Sequence, residues 1–232
     1  INKIPLDDDL VYELFSTANT DGIFQFETSS FKNMLVKYKP KNFNELVASI
    51  ALVRPGPSQE LETYIKRKNN LEKITYYHDN LKPILVETYG VIVYQEQVIN
   101  ILVTMAKFSY AEADNIRRAM SKKKMDIILN VKEDFIKRSI SNGYDKELAI
   151  NIFEHILKFA SYGFNKAHSV AYALVSYQMA YLKVHYKPLF IFELLNNSLG
   201  NTESLKNYLN ELKKDKLEIK QVSINMSSDT FV

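Results

Sequence analysis

From Tyr94 to Lys214 the chain carries one proline, Pro188, and three glycines, Gly143, Gly163 and Gly200. Apolar residues recur through this stretch at three- and four-residue spacing, the pattern of successive amphipathic helices. The spacing predicts helices over about 94–107, 110–123, 126–141, 146–161, 166–186, 189–198 and 202–214. Asn142-Gly143 and Gly163 supply C-cap chemistry between them. Asp145 ahead of Leu148 and Ile152 reads as an N-cap followed by an apolar stripe.

The first ninety residues are more interrupted. Pro5-Leu6-Asp7-Asp8-Asp9 precedes apolar positions at Leu10, Val11, Leu14 and Phe15, which predicts a short helix with acids in its first turn. Gly22-Ile23-Phe24-Gln25-Phe26 is expected to be a brief extended piece, and Ser29 or Ser30 to cap a helix that stops at Tyr38, before Pro40. A helix over about Phe43 to Val53 ends at the breaker Arg54-Pro55-Gly56-Pro57 and resumes over about Gln59 to Lys68. Residues 69–90 read as loop with a short helix at Asn80 to Val86, and the tail from Leu217 to Val232 as weakly extended. The fold class is therefore mostly α, a multi-helix domain with a few short extended segments.

At 232 residues, 46% of them hydrophobic, the chain can bury a substantial core, as one large domain or a domain plus a small appendage. The absence of cysteine removes disulfides and thiolate metal sites and fits a reducing compartment. No stretch approaches the roughly 18 apolar residues of a membrane span, and Ile1 to Leu10 has neither the basic nor the apolar region of a signal peptide. The sequence starts without Met and ends at Thr230-Phe231-Val232 with no obvious stop, so a piece of a longer protein is expected. Charge is unevenly spread: the first 30 residues carry six acids and one lysine, against a net of +3 for the whole chain. Local charge decides what binds where.

The densest cationic run is Arg117-Arg118-Ala119-Met120-Ser121-Lys122-Lys123-Lys124, with no acid between Asp114 and Asp126. On a helix Arg118 and Lys122 share a face. Such a cluster suits phosphates; it also suits a solvated face on which Asp114 pairs Arg118. In Tyr162-Gly163-Phe164-Asn165-Lys166-Ala167-His168-Ser169, Gly163 can end one helix and Asn165 cap the next. Lys166 and His168 then fall in a first helical turn, where free amides and the dipole attract anions. The alternative is a plain helical corner, with Lys166 in solvent and His168 packed on Tyr172. Arg54, ahead of the rigid Pro55-Gly56-Pro57 turn, is either a fixed cation or a helix-end charge. The amides and carboxylate of Tyr94-Gln95-Glu96-Gln97 can read sugar or base edges, or simply cap a helix. Asp7 and Asp9 sit at a helix start and are read as capping groups, and His78, His155, His168 and His185 show no zinc spacing. No phosphate-loop, dinucleotide or nucleophile motif occurs. Most of the 15 Tyr and 13 Phe lie at core spacing.

Five segments in order resemble one family. They are Gly22 to Glu27, Ala51 to Pro57, Thr88 to Gln97, Arg117 to Met120, and Phe159 to Ser169 continuing to Tyr172-Ala173-Leu174. The chain resembles the fingers region of the bacterial C-family replicative DNA polymerases, the DNA polymerase III alpha subunits, over roughly residues 4 to 200. The resemblance implies a fingers domain at 1–200, with about 1–90 and 91–200 as subregions, and the start of a following C-terminal region at 201–232. It implies that the domain folds over an incoming nucleotide and template base in a cytoplasmic DNA-directed DNA polymerase. The family's palm aspartates, which hold Mg²⁺ ions for nucleotidyl transfer, have no counterpart here, so the chain alone is expected to be inactive and to hold no metal. Implied partners are primed DNA, dNTPs, the rest of the polymerase chain and, through regions absent here, the sliding clamp; no membrane is implied. The implied triphosphate-facing cations are Arg117, Arg118, Lys122, Lys166 and His168. Arg54, Gln95, Glu96, Asn165 and Tyr172 are candidates for lining the nucleotide or template site. This reading expects the basic cluster and the Asn165–His168 corner to come together. The competing readings are a non-catalytic helical interaction module, kept open by the acidic start and the apolar helices over 189–214, and a stand-alone nucleic-acid binder, which the near-neutral charge weakens.

Overall fold

A computed structural model describes residues 1, 3–53, 58–122, 125–160, 163–215, 220 and 231. The chain divides into two compact units, one of residues 1–43 with 172–232 and one of residues 44–171. The described residues are mostly helical, and their strand-like pairing is a single parallel bridge between Tyr94 and Phe164. Arg54, Lys123, Lys124 and most of the tail from Leu217 onward lie outside the described residues.

In the first unit, α1 (Asp9–Ser16) is capped by Asp8, whose carboxylate accepts from the Val11 amide at 3.2 Å. Helix α2 (Ser29–Tyr38) is capped by Thr28 rather than by either serine. Thr28 has the extended backbone a cap needs, φ −70° and ψ 149°, whereas Ser29 is already the first helical residue. The expected extended piece at 22–26 is instead a pair of turns, closed by Ile23 N–H to Thr20 O and Phe26 N–H to Ile23 O. Gly22 and Gln25 take left-handed backbone there, and the turns deliver Phe26 between Phe15 and Phe31, each ring 5.0 Å away. Gly22 also lies against Leu194, which leaves no room for a side chain.

Helix α3 (Phe43–Leu52) begins in the first unit and continues in the second. The second unit goes on through α4 (Ser58–Lys68), α5 (Lys82–Leu85) between two 3-10 turns, α6 (Gln95–Ala106), α7 (Tyr110–Ser121), α8 (Met125–Ser141) and α9 (Lys146–Ala160). Helices α6 to α9 pack on one another through Ile101, Leu102, Met105, Phe108, Phe135, Phe153 and Ile156. Gly143 (φ +88°) closes α8 in the left-handed conformation expected of a C-cap, and Asp145 caps α9 by accepting from the Glu147 and Leu148 amides. Helix α10 (Lys166–His185) leads back into the first unit, where α11 (Lys187–Asn197) and α12 (Thr202–Lys214) pack through Ile191, Leu195, Tyr208 and Leu212. Much of the apolar stripe over 189–214 is thus spent on this internal contact. Lys183, 1% exposed, donates to the Asp21 carbonyl and to Glu211, while Lys187 pairs with Glu211 and Asp215. Burial pushes the Lys183 amine down, against the pull of Glu211.

A buried ion pair joins α3 and α4 in the second unit. Lys68 Nζ lies 3.2 Å from Glu45, with side chains 2% and 5% exposed, and the Tyr89 hydroxyl donates to the same carboxylate at 2.7 Å. Burial, then the Glu45 hydrogen bond, pushes the Tyr89 phenol well up. Phe153 is fully buried and packs on Phe135 at 5.5 Å. Phe153→Ala should lower stability by about 3–5 kcal/mol, read as the shift in chemical denaturation midpoint at unchanged slope.

Candidate functional site

The site is built where two chain segments some 70 residues apart meet inside the second unit. The sequence forces Tyr94 out of helix and into extended backbone, φ −119° and ψ 147°, because Gln97 reaches back over the start of α6. Gln97 Oε1 accepts from the Val93 and Tyr94 amides at 2.8 and 3.0 Å, and its Nε2 donates to Thr88 Oγ1 and Ile84 O. Of the Tyr94-Gln95-Glu96-Gln97 run, Gln97 is therefore committed to capping, and its near-complete burial removes it from any ligand.

Gln95 joins the two predicted clusters. Its amide donates to Phe164 O at 2.9 Å and its side-chain Nε2 to Gly163 O at 2.6 Å. Its Oε1 accepts from Arg117 Nη1 at 3.0 Å. The basic run on α7 and the corner at 163–168 are thus bridged by one side chain. Gly163 is not the left-handed C-cap that its place in the sequence implied. What it supplies is room, since a Cβ there would come within 2.8 Å of the Phe159 ring and 3.0 Å of Gln95 Cγ.

Arg117, Arg118 and Lys166 each meet a carboxylate. Asp114 accepts from Arg117 Nε and Arg118 Nε, both at 2.8 Å, on its two oxygens. The hydrogen bond from Arg117 holds the Asp114 carboxyl below its usual range, against partial burial. Lys166 Nζ donates to both oxygens of Glu87, at 2.8 and 2.7 Å, and lies 5.6 Å from the centre of the Tyr94 ring. Burial, then the charges of Glu87 and Glu96, pushes the Tyr94 phenol strongly up.

The first turn of α10 differs from the sequence expectation. Its amides were expected to be open to an anion, but Glu96 takes the Lys166 amide on both oxygens, at 3.1 and 3.0 Å, and also accepts from Asn165 Nδ2 at 2.8 Å. Asn165 Oδ1 caps the helix as predicted, accepting from the His168 amide at 2.9 Å. The protein's own carboxylate satisfies the positive end of the helix. The His168 ring stands edge-on to Phe164, with centroids 5.2 Å apart.

The structure therefore connects Gln95, Glu96, Arg117, Asn165 and Lys166 through hydrogen bonds, with Arg118 joined through Asp114 and His168 through Asn165. Lys122 follows the last residue of α7 and is exposed. Tyr172 belongs to the first unit, where its ring packs on Phe24 at 5.0 Å. Arg54 is outside the described residues. Sequence reasoning missed Glu87: nothing in a spacing of 79 residues announces its pair with Lys166. Among the described residues no group of three or more His, Asp or Glu side chains is placed to hold a metal ion, and no helix is long and apolar enough to cross a membrane.

Residues 1–143, more than half of the chain, match the family model of the bacterial DNA polymerase III alpha subunit finger domain. The chain belongs to this finger-domain family. The similarity continues past residue 143. The DNA polymerase III subunit alpha of Staphylococcus aureus is 45% identical over 227 residues, 98% of this chain, and that of Staphylococcus epidermidis is 44% identical over the same length. The chain spans 21% of the length of each of these relatives.

Two outcomes test the geometry of this finger-domain site. Gly163→Ala should push Gln95 off Gly163 O and Arg117, lowering the thermal midpoint by an amount equivalent to about 1–3 kcal/mol; an unchanged midpoint would show that Phe159 and Gln95 give way freely. The folded-state titration of Asp114, followed by carboxyl ¹³C NMR, should lie below the ordinary aspartate range. Because the folded value is depressed, the stability this pair contributes is present above about pH 4 and is lost as pH falls through the folded value. Arg117→Gln should move the titration back up.

Proposed function

We propose that this chain is the nucleotide- and template-binding fingers part of a DNA-directed DNA polymerase. The single observation that carries the reading is the Gln95 bridge, which brings the α7 arginines and the Asn165–His168 corner into one hydrogen-bonded group. Membership of the finger-domain family gives that group its context. In this reading Arg117, Arg118, Lys122, Lys166 and His168 face the triphosphate of an incoming dNTP. Arg54, Gln95, Asn165 and Tyr172 line the nucleotide or template, with Glu96 holding the corner in place.

In-line nucleotidyl transfer rests on positioning and charge neutralisation of a polyphosphate, the task of cationic forks near its oxygens. Arg118 is the best placed to change partner, because its side chain is 65% exposed and its acceptor Asp114 is shared with Arg117. When Arg118 turns to a phosphate, Arg117 still neutralises Asp114. Mg²⁺ would supply Lewis-acid chemistry from palm residues of the longer polymerase, and this chain's residues would bind and orient the nucleotide without performing transfer by themselves. Primed DNA, dNTPs and the remainder of the polymerase chain are then its partners, in the bacterial cytoplasm. Residues 1–200 would form the fingers and 201–232 the start of the following region.

The test is single-turnover incorporation by the full-length polymerase carrying this chain, on primed DNA. Arg118→Ala should raise the dNTP Kd about tenfold, the loss of one charge-assisted hydrogen bond, with a weaker salt dependence than the parent. An unchanged Kd would remove Arg118 from the triphosphate site. Unchanged values for both Arg118→Ala and Lys166→Ala would overturn the reading, in favour of a helical interaction module whose basic face is solvated.

A further inference from the structure

The carboxylate on Lys166 has a consequence for affinity. The Lys166 ammonium donates to both oxygens of Glu87, at 2.8 and 2.7 Å, and both side chains are about one-third exposed. Glu87 sits on the 3-10 turn Val86–Thr88, which is firmly held: Thr88 Oγ1 donates to Val91 O at 2.6 Å, and Arg67 Nη1 donates to Tyr89 O at 3.2 Å. Glu96 adds a second carboxylate, fixed on the backbone amide of the same Lys166. The Tyr94 ring beneath the ammonium is buried and feels both negative charges. Lys166 is therefore neutralised in place, and any phosphate that approaches its ammonium also approaches two carboxylates.

We propose that Glu87 is a resident counter-carboxylate that sets the affinity of the site for polyphosphate, holding Lys166 in position and giving way to the ligand. This rests on the reading of Lys166 as a triphosphate-facing cation. A partly exposed ion pair is weak, and a polyphosphate with several charges outcompetes a single carboxylate. Glu87 thus lowers affinity for weakly charged anions and keeps the ammonium oriented until a dNTP arrives. The sign is the opposite of that for an ordinary supporting residue: removing the charge of Glu87 should tighten nucleotide binding.

The experiment compares Glu87→Gln, Glu87→Asp and Lys166→Gln in the full-length polymerase, reading the dNTP–Mg²⁺ Kd from single-turnover incorporation on primed DNA. Glu87→Gln keeps size and hydrogen-bonding shape and should lower the Kd about three- to tenfold. Glu87→Asp, which keeps the charge, should stay within about twofold of the parent. Lys166→Gln should raise the Kd, and its double variant with Glu87→Gln should show no tightening. Glu87→Ala repeats the measurement should the glutamine variant prove poorly folded by its thermal midpoint. A raised Kd in folded Glu87→Gln would overturn the proposal and leave Glu87 as a purely supporting group. If Lys166→Gln weakens binding while neither Glu87→Gln nor Glu87→Ala tightens it, the proposal alone falls. If Lys166→Gln leaves Kd unchanged, the triphosphate role of Lys166 falls, and the proposal with it.

Discussion

One parallel bridge, Tyr94 to Phe164, decides where α6 and α10 begin. Everything at the site hangs from it. With Gln95 N–H fixed on Phe164 O, the Gln95 and Glu96 side chains lie beside the 163–166 segment, where Gln95 donates to Gly163 O and Glu96 accepts from the Lys166 amide and Asn165 Nδ2. The bridge in turn depends on Gln97, which holds Tyr94 extended from inside the helix that follows. The sequence left Gln97 open to either a ligand or a cap, and in the structure it is a buried cap. An arrangement in which most hydrogen-bonding capacity is satisfied across distant segments has little freedom to rearrange piecemeal.

Helix content and order were legible because the signal is local. Apolar spacing from Tyr94 onward, Asp145 as a cap and Gly143 as a left-handed terminator each depend on a few neighbouring residues, and each appears where expected. The failures are also local but depend on competition. Thr28, Ser29 and Ser30 are all chemically able to cap α2, and backbone geometry chose among them. Gly22 to Phe26 read as extended from its apolar residues, but burying Phe26 between two other rings required turns with left-handed backbone at Gly22 and Gln25.

At the site, the sequence located the cations but only one of their counter-charges, Asp114. Positively charged residues cluster within the eight positions 117–124, which begin on α7, and within three at the start of α10, so a scan along the chain finds them. The acids that neutralise them do not cluster. Asp114 is close in sequence to Arg118 and its pairing was foreseeable, whereas Glu87 and Glu96 reach Lys166 across 79 and 70 residues. A run of like charge in sequence therefore says little about local potential until the fold has brought in its opposites. The two arginines that share Asp114 and the lysine that holds Glu87 alone are different electrostatic situations, although all three read as the same kind of cation in one dimension.

The cap that Glu96 places on α10 also bears on how the unit opens. An ordinary N-cap lies within a turn of its helix and frays with it, so the first amides exchange with solvent whenever that turn loosens. The Lys166 amide instead donates to a carboxylate 70 residues earlier in the chain, held on a helix packed in the core of the same unit. Its exchange with solvent requires Glu96 to let go of it. The first amide of α10 is thus released by a movement of a side chain on α6 as well as by the fraying of its own helix end.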